Sequence, residues 1–580
     1  MNAFSMLLDW LLSAGAFLAV SFLLGLPLAL LLRVTAAERL CACAAISLGI
    51  AYLGGFASFL VGLQPAWALV LLAPAAPALW AQRPALRELL SDPEARTMLA
   101  AWAWVAAWSL ALLSLVHVYS GGNLVGDWLE HYQRAFYYCG KLKPDYRFIG
   151  MYALPARPPL TNVVTAVLLT VSHFDFAHYQ FFMTLQGSLC VLPLCLLARR
   201  LAPTGRNPAW MLVVLLALNP LFAENLVYPW TKLQSAFFIL AGLDFFLGGR
   251  STGSFARCQL AFAFLALGCL SHYSAAVYLV VLAALFAYEQ LAGSAPFGRV
   301  RWGWGILASE GAAIFATWFP WSMHAFSSGT TYSSNTTVAS YLVRTPGKIA
   351  HDFFINLYYT SVPHFLRGAS DDFVATKGIW GPLRDYFFFA FQQELPLLAG
   401  FGGLVVLLWL ASRAGLRGVS LFWGVFVAGV ISLGVVVNDL INVWGYAHIC
   451  CQALGLLGVA LVAARWQDLP RPWRLIATAF YAVDLVLGII LPFCLQSLDL
   501  IRLVRNQGYT AEAIAQNYGT AGALNLLAKN DLHLVFFADQ TRAPVAAAAA
   551  LAMVLMGIGI QRASAAAHGS ARTAPSPSSP

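Results

Sequence analysis

The sequence contains few charged residues. Only 10% of its 580 residues are Asp, Glu, Lys or Arg, whereas soluble proteins carry about 25%. With 60% hydrophobic residues, this composition excludes a soluble globular protein and predicts an all-α, polytopic integral membrane protein. The apolar stretches are rich in Leu, Ala, Val and Phe, which favours helices over the weak alternation of a membrane β-barrel.

Clustered positive charge is also absent. The net charge is +9, but no Lys/Arg-rich run occurs, so the sequence predicts no nucleic-acid partner. The basic residues fall instead in every second connection between apolar stretches, and the positive-inside rule places those connections in the cytoplasm. The N-terminus and three long polar segments then lie on the outer side. The basic pairs that favour this orientation are Arg33/Arg39, Arg83/Arg87, Arg199/Arg200, Arg250/Arg257, Arg299/Arg301, Arg413/Arg417 and Arg471/Arg474.

The sequence has no C-x-x-C pattern and no His-rich tract, so it predicts neither a zinc motif nor a disulfide framework. Most of its ten cysteines lie in apolar stretches, where a free thiol behaves as a small hydrophobic group. The abundant Ala and Arg are typical of bacteria with GC-rich genomes. We therefore expect a multi-pass protein of the bacterial inner membrane, with its active face in the periplasm.

Length and apolarity predict about fifteen membrane-spanning helices. Single spans are expected at 5–32, 66–81, 208–223 and 387–411, among others. In order, the predicted parts are three extra membrane helices in 1–97, a helical module in 98–321, an outer loop in 322–386, further membrane helices in 387–496, an outer soluble segment in 497–543, and a last membrane helix with a disordered cytoplasmic tail in 544–580. Because the long polar segments share one side, chemistry or binding at that surface is favoured over a transporter site at the bilayer midplane.

Residues 127–139 form a polar interruption with helical spacing. The polar side chains are Asp127, Glu130, His131 and Arg134, and the opposite stripe contains Trp128, Tyr132, Ala135, Phe136 and Cys139. This pattern predicts an amphipathic helix in the membrane interface, with its aromatic side toward the lipid. A second short helix is expected from residue 160 to about 170.

Asp127 is the candidate catalytic residue. Its position after Gly126 suits a helix N-cap, and an outward-facing carboxylate there also suits a general base or a metal ligand. Glu130, His131 and Arg134 are candidate substrate-binding residues, although charges on an amphipathic helix usually face solvent. His131 would orient Asp127 or bind a phosphate.

Two other outer turns carry candidate substrate-binding residues. Glu224 and Lys232 lie in the turn 223–232. A lysine there either extends its ammonium to the membrane surface or neutralises a leaving phosphate. His272 and Tyr273 lie between two closely spaced apolar stretches, where a histidine is usually an interfacial residue but also suits contact with a lipid phosphate.

Four stretches resemble motifs of the GT-C superfamily of membrane glycosyltransferases, in the branch of protein O-mannosyltransferases and the lipid A aminoarabinose transferase. Residues 126–132 (GDWLEHY) are similar to the acidic motif of the first loop. Residues 157–160 (RPPL) are similar to the juxtamembrane "PPL" helix. Residues 197–201 (LARRL) are similar to the end of the family's second module helix, and 267–273 (LGCLSHY) to a helix end that usually reads Thr-Lys. The match covers 98–321.

The resemblance implies a GT-C helical bundle with juxtamembrane helices on the outer face. It also implies transfer of a sugar, with inversion, from a polyprenyl phosphate to a glycan, lipid or protein acceptor. Asp127 would be the catalytic acid of the first loop, His272 would replace a lysine on the donor phosphate, and Lys232 stands where many members have a second acid. The family's Asp-Glu pair is Asp127-Trp128 here, so a need for Mg²⁺ or Mn²⁺ stays open, with Asp127 as the ligand if a metal binds.

Three alternatives stay open from the sequence. An O-antigen ligase-like or polymerase-like enzyme would have its decisive residues in 322–386. A transporter or lipid flippase would need essential polar residues inside membrane helices, for which Asp244 and Asp484 are candidates. A degenerate GT-C protein would bind a lipid-linked sugar without turning it over.

Overall fold

A computed structural model describes residues 3–117, 119, 127–143, 145–149, 152–292, 300, 302–325, 345–367, 380–418, 421–437, 451–496 and 534–541. Every regular element within these ranges is a helix, which confirms the all-α prediction. An isolated β-bridge joins Phe148 and Tyr152.

The helices follow one another closely along the chain. They are α1 (Ala3–Leu18), α2 (Leu26–Leu30), α3 (Ala36–Leu60), α4 (Leu72–Ala81), α5 (Arg83–Ser91), α6 (Pro93–Leu113), α7 (Asp127–Tyr138), α8 (Leu160–Val171), α9 (Phe176–Ser188), α10 (Val191–Leu201), α11 (Ala209–Ala217), α12 (Pro220–Val227), α13 (Lys232–Thr252), α14 (Phe255–Ser271), α15 (Ala275–Leu291), α16 (Gly303–Ala316), α17 (Phe319–Ala325), α18 (Pro346–Ser361), α19 (His364–Arg367), α20 (Trp380–Gln393), α21 (Gly400–Gly418), α22 (Leu421–Val437), α23 (Gln452–Arg465) and α24 (Arg471–Leu485). π-Helical turns extend α1 over Ala19–Leu23 and α24 over Val486–Gln496, and a 3₁₀ segment, Pro65–Leu71, precedes α4.

Six helices among the described residues are long and apolar enough to cross a membrane, and the number rises to eight if each of two bent pairs counts as one span. The chain is therefore a multi-pass membrane protein. The count of about fifteen is not confirmed, and the last predicted span, near 544–561, lies outside the described residues, as does most of the predicted segment 497–543.

One predicted N-terminal span is shorter than expected, and another bends sharply at its end. Residues 5–32 do not form one helix, because the first span ends at Leu23 and α2 follows separately. A Cβ on Gly25 would lie 2.5 Å from the backbone nitrogen of Ser47, so only glycine lets the chain turn this close to α3. The predicted span 66–81 is half of a bent pair, Pro65–Ala81 and Arg83–Ser91, with an angle of 84°.

Two later predicted spans are also broken. In 208–223 the helix bends by 73° between α11 and α12, where Asn219 caps α12 by accepting a hydrogen bond from the Phe222 amide at 2.8 Å. In 387–411, α20 ends at Gln393 and α21 begins at Gly400, which has a φ of +79°. The Asp484 carboxylate accepts hydrogen bonds from the amides of Phe401 and Gly402 and so caps α21.

The predicted outer loop 322–386 contains helices. It includes α18, α19 and the first residues of α20, and α18 packs against α22. Residues 326–344 and 368–379 of this loop, including Asp371 and Asp372, lie outside the described part of the chain.

The centre of the fold is formed by α9–α10 and α13. The most apolar 18-residue window of Phe176–Leu201 is completely buried, and 94% of the corresponding window of Lys232–Thr252 is buried. In Ser5–Leu23 the buried share of that window is 28%. The helices α13 and α14 form an antiparallel pair that turns at Gly253, which has a φ of +66°. This pairing brings the first residue of α13, Lys232, to the same end of the bundle as the last residues of α14.

Candidate active site

Asp127 is the first residue of α7. Its side chain is 25% exposed, and its Oδ1 atom lies 3.4 Å from Arg157 Nη2. Burial raises the pKa of this carboxyl above its ordinary value and outweighs the opposite effects of Arg157, Lys232 and Arg134. A carboxylate with a raised pKa and partial access to solvent has the properties of a general base.

Glu130 is completely buried, one turn further along α7. Its carboxylate forms two ion pairs. Arg134 Nη2 lies 2.7 Å from Oε1, and Arg157 Nη2 lies 3.2 Å from Oε2. Burial opposes ionisation of Glu130, but the two guanidinium groups outweigh it and hold its pKa at about 2. The expectation that the polar face of α7 meets solvent is therefore wrong for Glu130.

Arg134 is also buried, and it fixes the chain that follows α7. It donates hydrogen bonds to the carbonyls of Leu154 at 2.5 Å and Ala153 at 3.1 Å, and its guanidinium stacks over the Phe148 ring at 4.3 Å. These contacts hold the segment that leads into Arg157. Arg134 thus positions other site residues, and its predicted contact with substrate stays a prediction.

His131 faces α8 rather than solvent. Its Nδ1 atom lies 3.2 Å from Asn162 Oδ1, and burial lowers its pKa to about 3, so the imidazole is neutral at physiological pH. Both faces of α7 are consequently buried in protein, in contrast to the interfacial helix that the pattern predicts. The neutral ring is poorly suited to bind a phosphate, and its contact with Asn162 does not orient Asp127.

Arg157 is the central residue of the site, and sequence analysis did not identify it as a functional residue. Its guanidinium contacts Asp127, Glu130 and the hydroxyl of Tyr273, the last at 3.4 Å. Two prolines follow it, which restricts Arg157 to extended backbone and aims it back toward α7. The RPPL stretch could have identified Arg157, because a cation directly before a juxtamembrane helix is well placed to bind a phosphate.

Lys232 begins α13 and is 7% exposed. Its ammonium lies 3.5 Å from the centre of the Trp230 ring. Within the described part of the chain, Nζ has no hydrogen-bond partner. A buried ammonium in this state is costly unless an anion binds to it, and Lys232 is near enough to influence the pKa of Asp127.

His272 and Tyr273 follow α14 at the same end of the bundle. The Tyr273 hydroxyl lies 3.4 Å from Arg157 Nη1, and its ring stacks on His272 with 4.4 Å between ring centres. The substrate-binding roles of Tyr273 and His272 stay predictions. His272 is 6% exposed, and its Nδ1 atom lies 2.9 Å from Ser274 Oγ. A hydrogen bond of 2.8 Å between the hydroxyls of Thr161 and Ser271 fixes this turn against α8.

Glu224 does not lie in a turn, in contrast to the prediction. It is buried within α12, and the neighbouring Asn225 donates a hydrogen bond to Gln392 Oε1 at 2.7 Å. The substrate-binding role of Glu224 stays a prediction.

The residues described around Asp127 do not fit a Mg²⁺ or Mn²⁺ ion. Such ions prefer several oxygen ligands with net negative charge. Among the described residues, Asp127 and Glu130 are the carboxylates in contact with Arg157, and Arg134 and Lys232 add further positive charge. This surplus of cations suits an anionic ligand instead.

Comparisons with known proteins give matches among solved structures alone. No family model and no curated protein matches the chain. The crystal structure of ArnT from Cupriavidus metallidurans bound to undecaprenyl phosphate has 16% identity and a TM-score of 0.39, covering 82% of this chain and 76% of that one. The apo form of ArnT has 18% identity and a TM-score of 0.38, with coverages of 78% and 74%. The Archaeoglobus fulgidus oligosaccharyltransferase has 12% identity and a TM-score of 0.39, covering 72% of this chain and 59% of that one. These TM-scores are too low to carry a residue's role from either enzyme to this chain.

Proposed function

We propose that the chain is a GT-C-type glycosyltransferase that moves a sugar from a polyprenyl phosphate to an acceptor at the periplasmic face of the bacterial inner membrane. The observation that carries this proposal is one cluster at one end of the helical bundle. It contains a partly exposed carboxylate, Asp127, a guanidinium beside it, Arg157, and a buried ammonium, Lys232, that has no hydrogen-bond partner among the described residues.

The two cations provide the site for the donor phosphate. Lys232 supplies an ammonium whose burial strengthens its attraction for an anion. Arg157 is 15% exposed and offers planar donors that suit phosphate oxygens. The Tyr273 hydroxyl also contacts the Arg157 guanidinium, so Tyr273 forms the wall of the site on the α14 side.

Asp127 acts as the general base in this proposal. The acceptor oxygen forms a bond to the anomeric carbon while the bond from that carbon to the phosphate oxygen breaks. The acceptor proton passes to Asp127, and polyprenyl phosphate leaves with its new charge held by Arg157 and Lys232. Attack opposite the leaving group inverts the anomeric configuration.

The experiment that tests this function uses the purified chain in proteoliposomes. Radiolabelled sugars on polyprenyl phosphates are supplied, and transfer to added glycan, lipid or peptide acceptors is measured. We expect transfer from lipid-linked donors and none from the corresponding nucleotide sugars. Transfer from nucleotide sugars alone, or no transfer and no donor hydrolysis with any lipid-linked sugar, would reject the proposal.

Replacing Lys232 with methionine is expected to lower kcat/KM for the lipid-linked donor about 10- to 100-fold. A hydrogen bond to a charged group contributes about 1.5–3 kcal/mol, and methionine keeps the apolar contact with Trp230. The matched control is Lys141→Met, because Lys141 is also a cation over an aromatic ring, Phe174 at 4.8 Å, but is exposed. If both variants retain wild-type kcat/KM, Lys232 does not bind the phosphate.

A further inference from the structure

A second cluster of ionisable side chains lies apart from the Asp127 site. It contains Asp9 of α1, His173 in the connection between α8 and α9, and His178 in the first turn of α9. His173 Nε2 is 2.9 Å from Asp9 Oδ1, and His178 Nε2 is 3.4 Å from Asp9 Oδ2. One atom from each residue lies within 4.8 Å of the others, which a metal ion could bridge after small side-chain movements.

The surroundings of His178 favour a lone pair on Nε2. Its Nδ1 atom lies 2.9 Å from both carboxylate oxygens of Asp175, so Nδ1 holds the proton in the neutral ring. In that tautomer the lone pair is on Nε2, which faces the Asp9 carboxylate. His178 is 2% exposed, and its Nε2 atom has no hydrogen-bond partner in the described part of the chain.

This arrangement is typical of histidines that bind metals. A ligating histidine usually donates its other ring N–H to a carboxylate, which fixes the tautomer and makes the ligand more basic. Two lone-pair donors that face each other also repel unless a cation lies between them. Trp10 stacks on the His178 ring at 4.3 Å and shields this side of the cluster, whereas the His173 side chain is 58% exposed and leaves a route for an ion.

We propose that Asp9, His173 and His178 bind one divalent transition-metal ion of the Zn²⁺ type. Two imidazole nitrogens and one carboxylate oxygen match the ligands that Zn²⁺ uses, and a water molecule completes the four positions. The ion would join α1 to the start of α9, one of the most buried segments of the fold. The proposal is independent of glycosyl transfer at Asp127, and its failure would leave that function untouched.

The test uses the full-length, untagged protein in detergent after treatment with a chelator. Zn²⁺ is titrated by calorimetry, and the bound metal is counted by mass spectrometry. We expect one Zn²⁺ per chain, a higher melting temperature with Zn²⁺, and binding at least about 100-fold weaker in His173→Ala. His173 is exposed, so this variant should fold. The matched control, His351→Ala, removes another exposed histidine beside an aspartate and should bind as the wild type does.

Asp175→Asn is a second test variant, which leaves all three proposed metal ligands in place. Asparagine keeps the N-cap to the His178 amide, but it removes the carboxylate that positions the imidazole, so we expect Zn²⁺ affinity to fall about 10-fold. Absence of Zn²⁺ binding to the wild type would show that the cluster binds only protons and would overturn the proposal. Equal affinity in the wild type, His173→Ala and His351→Ala would overturn it as well.

Discussion

Replacing Asp127 with asparagine is expected to lower kcat for sugar transfer by about 10²–10⁴-fold, the usual contribution of a positioned general base. Asparagine keeps the size of the side chain and can still face Arg157, but it cannot take the acceptor proton. The variant should therefore fold and bind the lipid-linked donor. The measurement is single-turnover transfer in proteoliposomes, with donor binding determined separately.

The pH dependence distinguishes a base from a structural carboxylate. Burial raises the pKa of Asp127, and a base works when it is deprotonated. The rate should hence rise with pH through this raised pKa and then level off, and the rise should be absent from the residual rate of Asp127→Asn. Asp145→Asn, an exposed carboxylate in the following loop, is the matched control. Wild-type turnover by a folded Asp127→Asn variant would reject the assigned base.

Replacing Arg157 with alanine is expected to lower kcat/KM by about 10²–10³-fold, the range found when one preorganised donor to a developing negative charge is lost. Arg157→Lys should lie between alanine and the wild type, because lysine keeps the charge but not the planar set of donors. Arg157 also most strongly lowers the pKa of Asp127. In Arg157→Ala the acid side of the pH profile should consequently move to higher pH.

Arg157 also neutralises Glu130, so a purely structural role has to be separated from phosphate binding. The double variant Glu130→Gln/Arg157→Ala removes one carboxylate together with one guanidinium, but it leaves the buried Arg134 without its carboxylate partner. We therefore expect it to unfold at no higher temperature than Arg157→Ala and to stay as inactive. Recovery of activity in the double variant would mean that Arg157 serves only to balance Glu130.

The sequence predicted the class of the protein and the positions of its main site helices. Low charge and long apolar stretches predicted a helical membrane protein, and the polar and apolar spacing over 127–139 predicted α7. The RPPL stretch predicted α8. These features depend on local composition and periodicity, which a single sequence contains.

The burial of α7 could not be predicted in this way. Its polar stripe has the spacing of a surface helix, yet Glu130 and Arg134 are buried because Arg157, 27 residues after Glu130, completes the ion network. The cluster of Asp9, His173 and His178 could not be predicted either, because Asp9 and His173 are 164 residues apart. Neither contact has a local sequence pattern, so both require the packing of the helices.

The proposed donor site is tested most directly by an experimental structure of the Asp127→Asn variant in a lipid nanodisc with a bound polyprenyl-phosphate sugar. We expect the phosphate to lie within hydrogen-bond distance of Arg157 and Lys232 Nζ, with the anomeric carbon on the side of residue 127. A phosphate bound elsewhere, with Lys232 and Arg157 contacting protein groups alone, would contradict it.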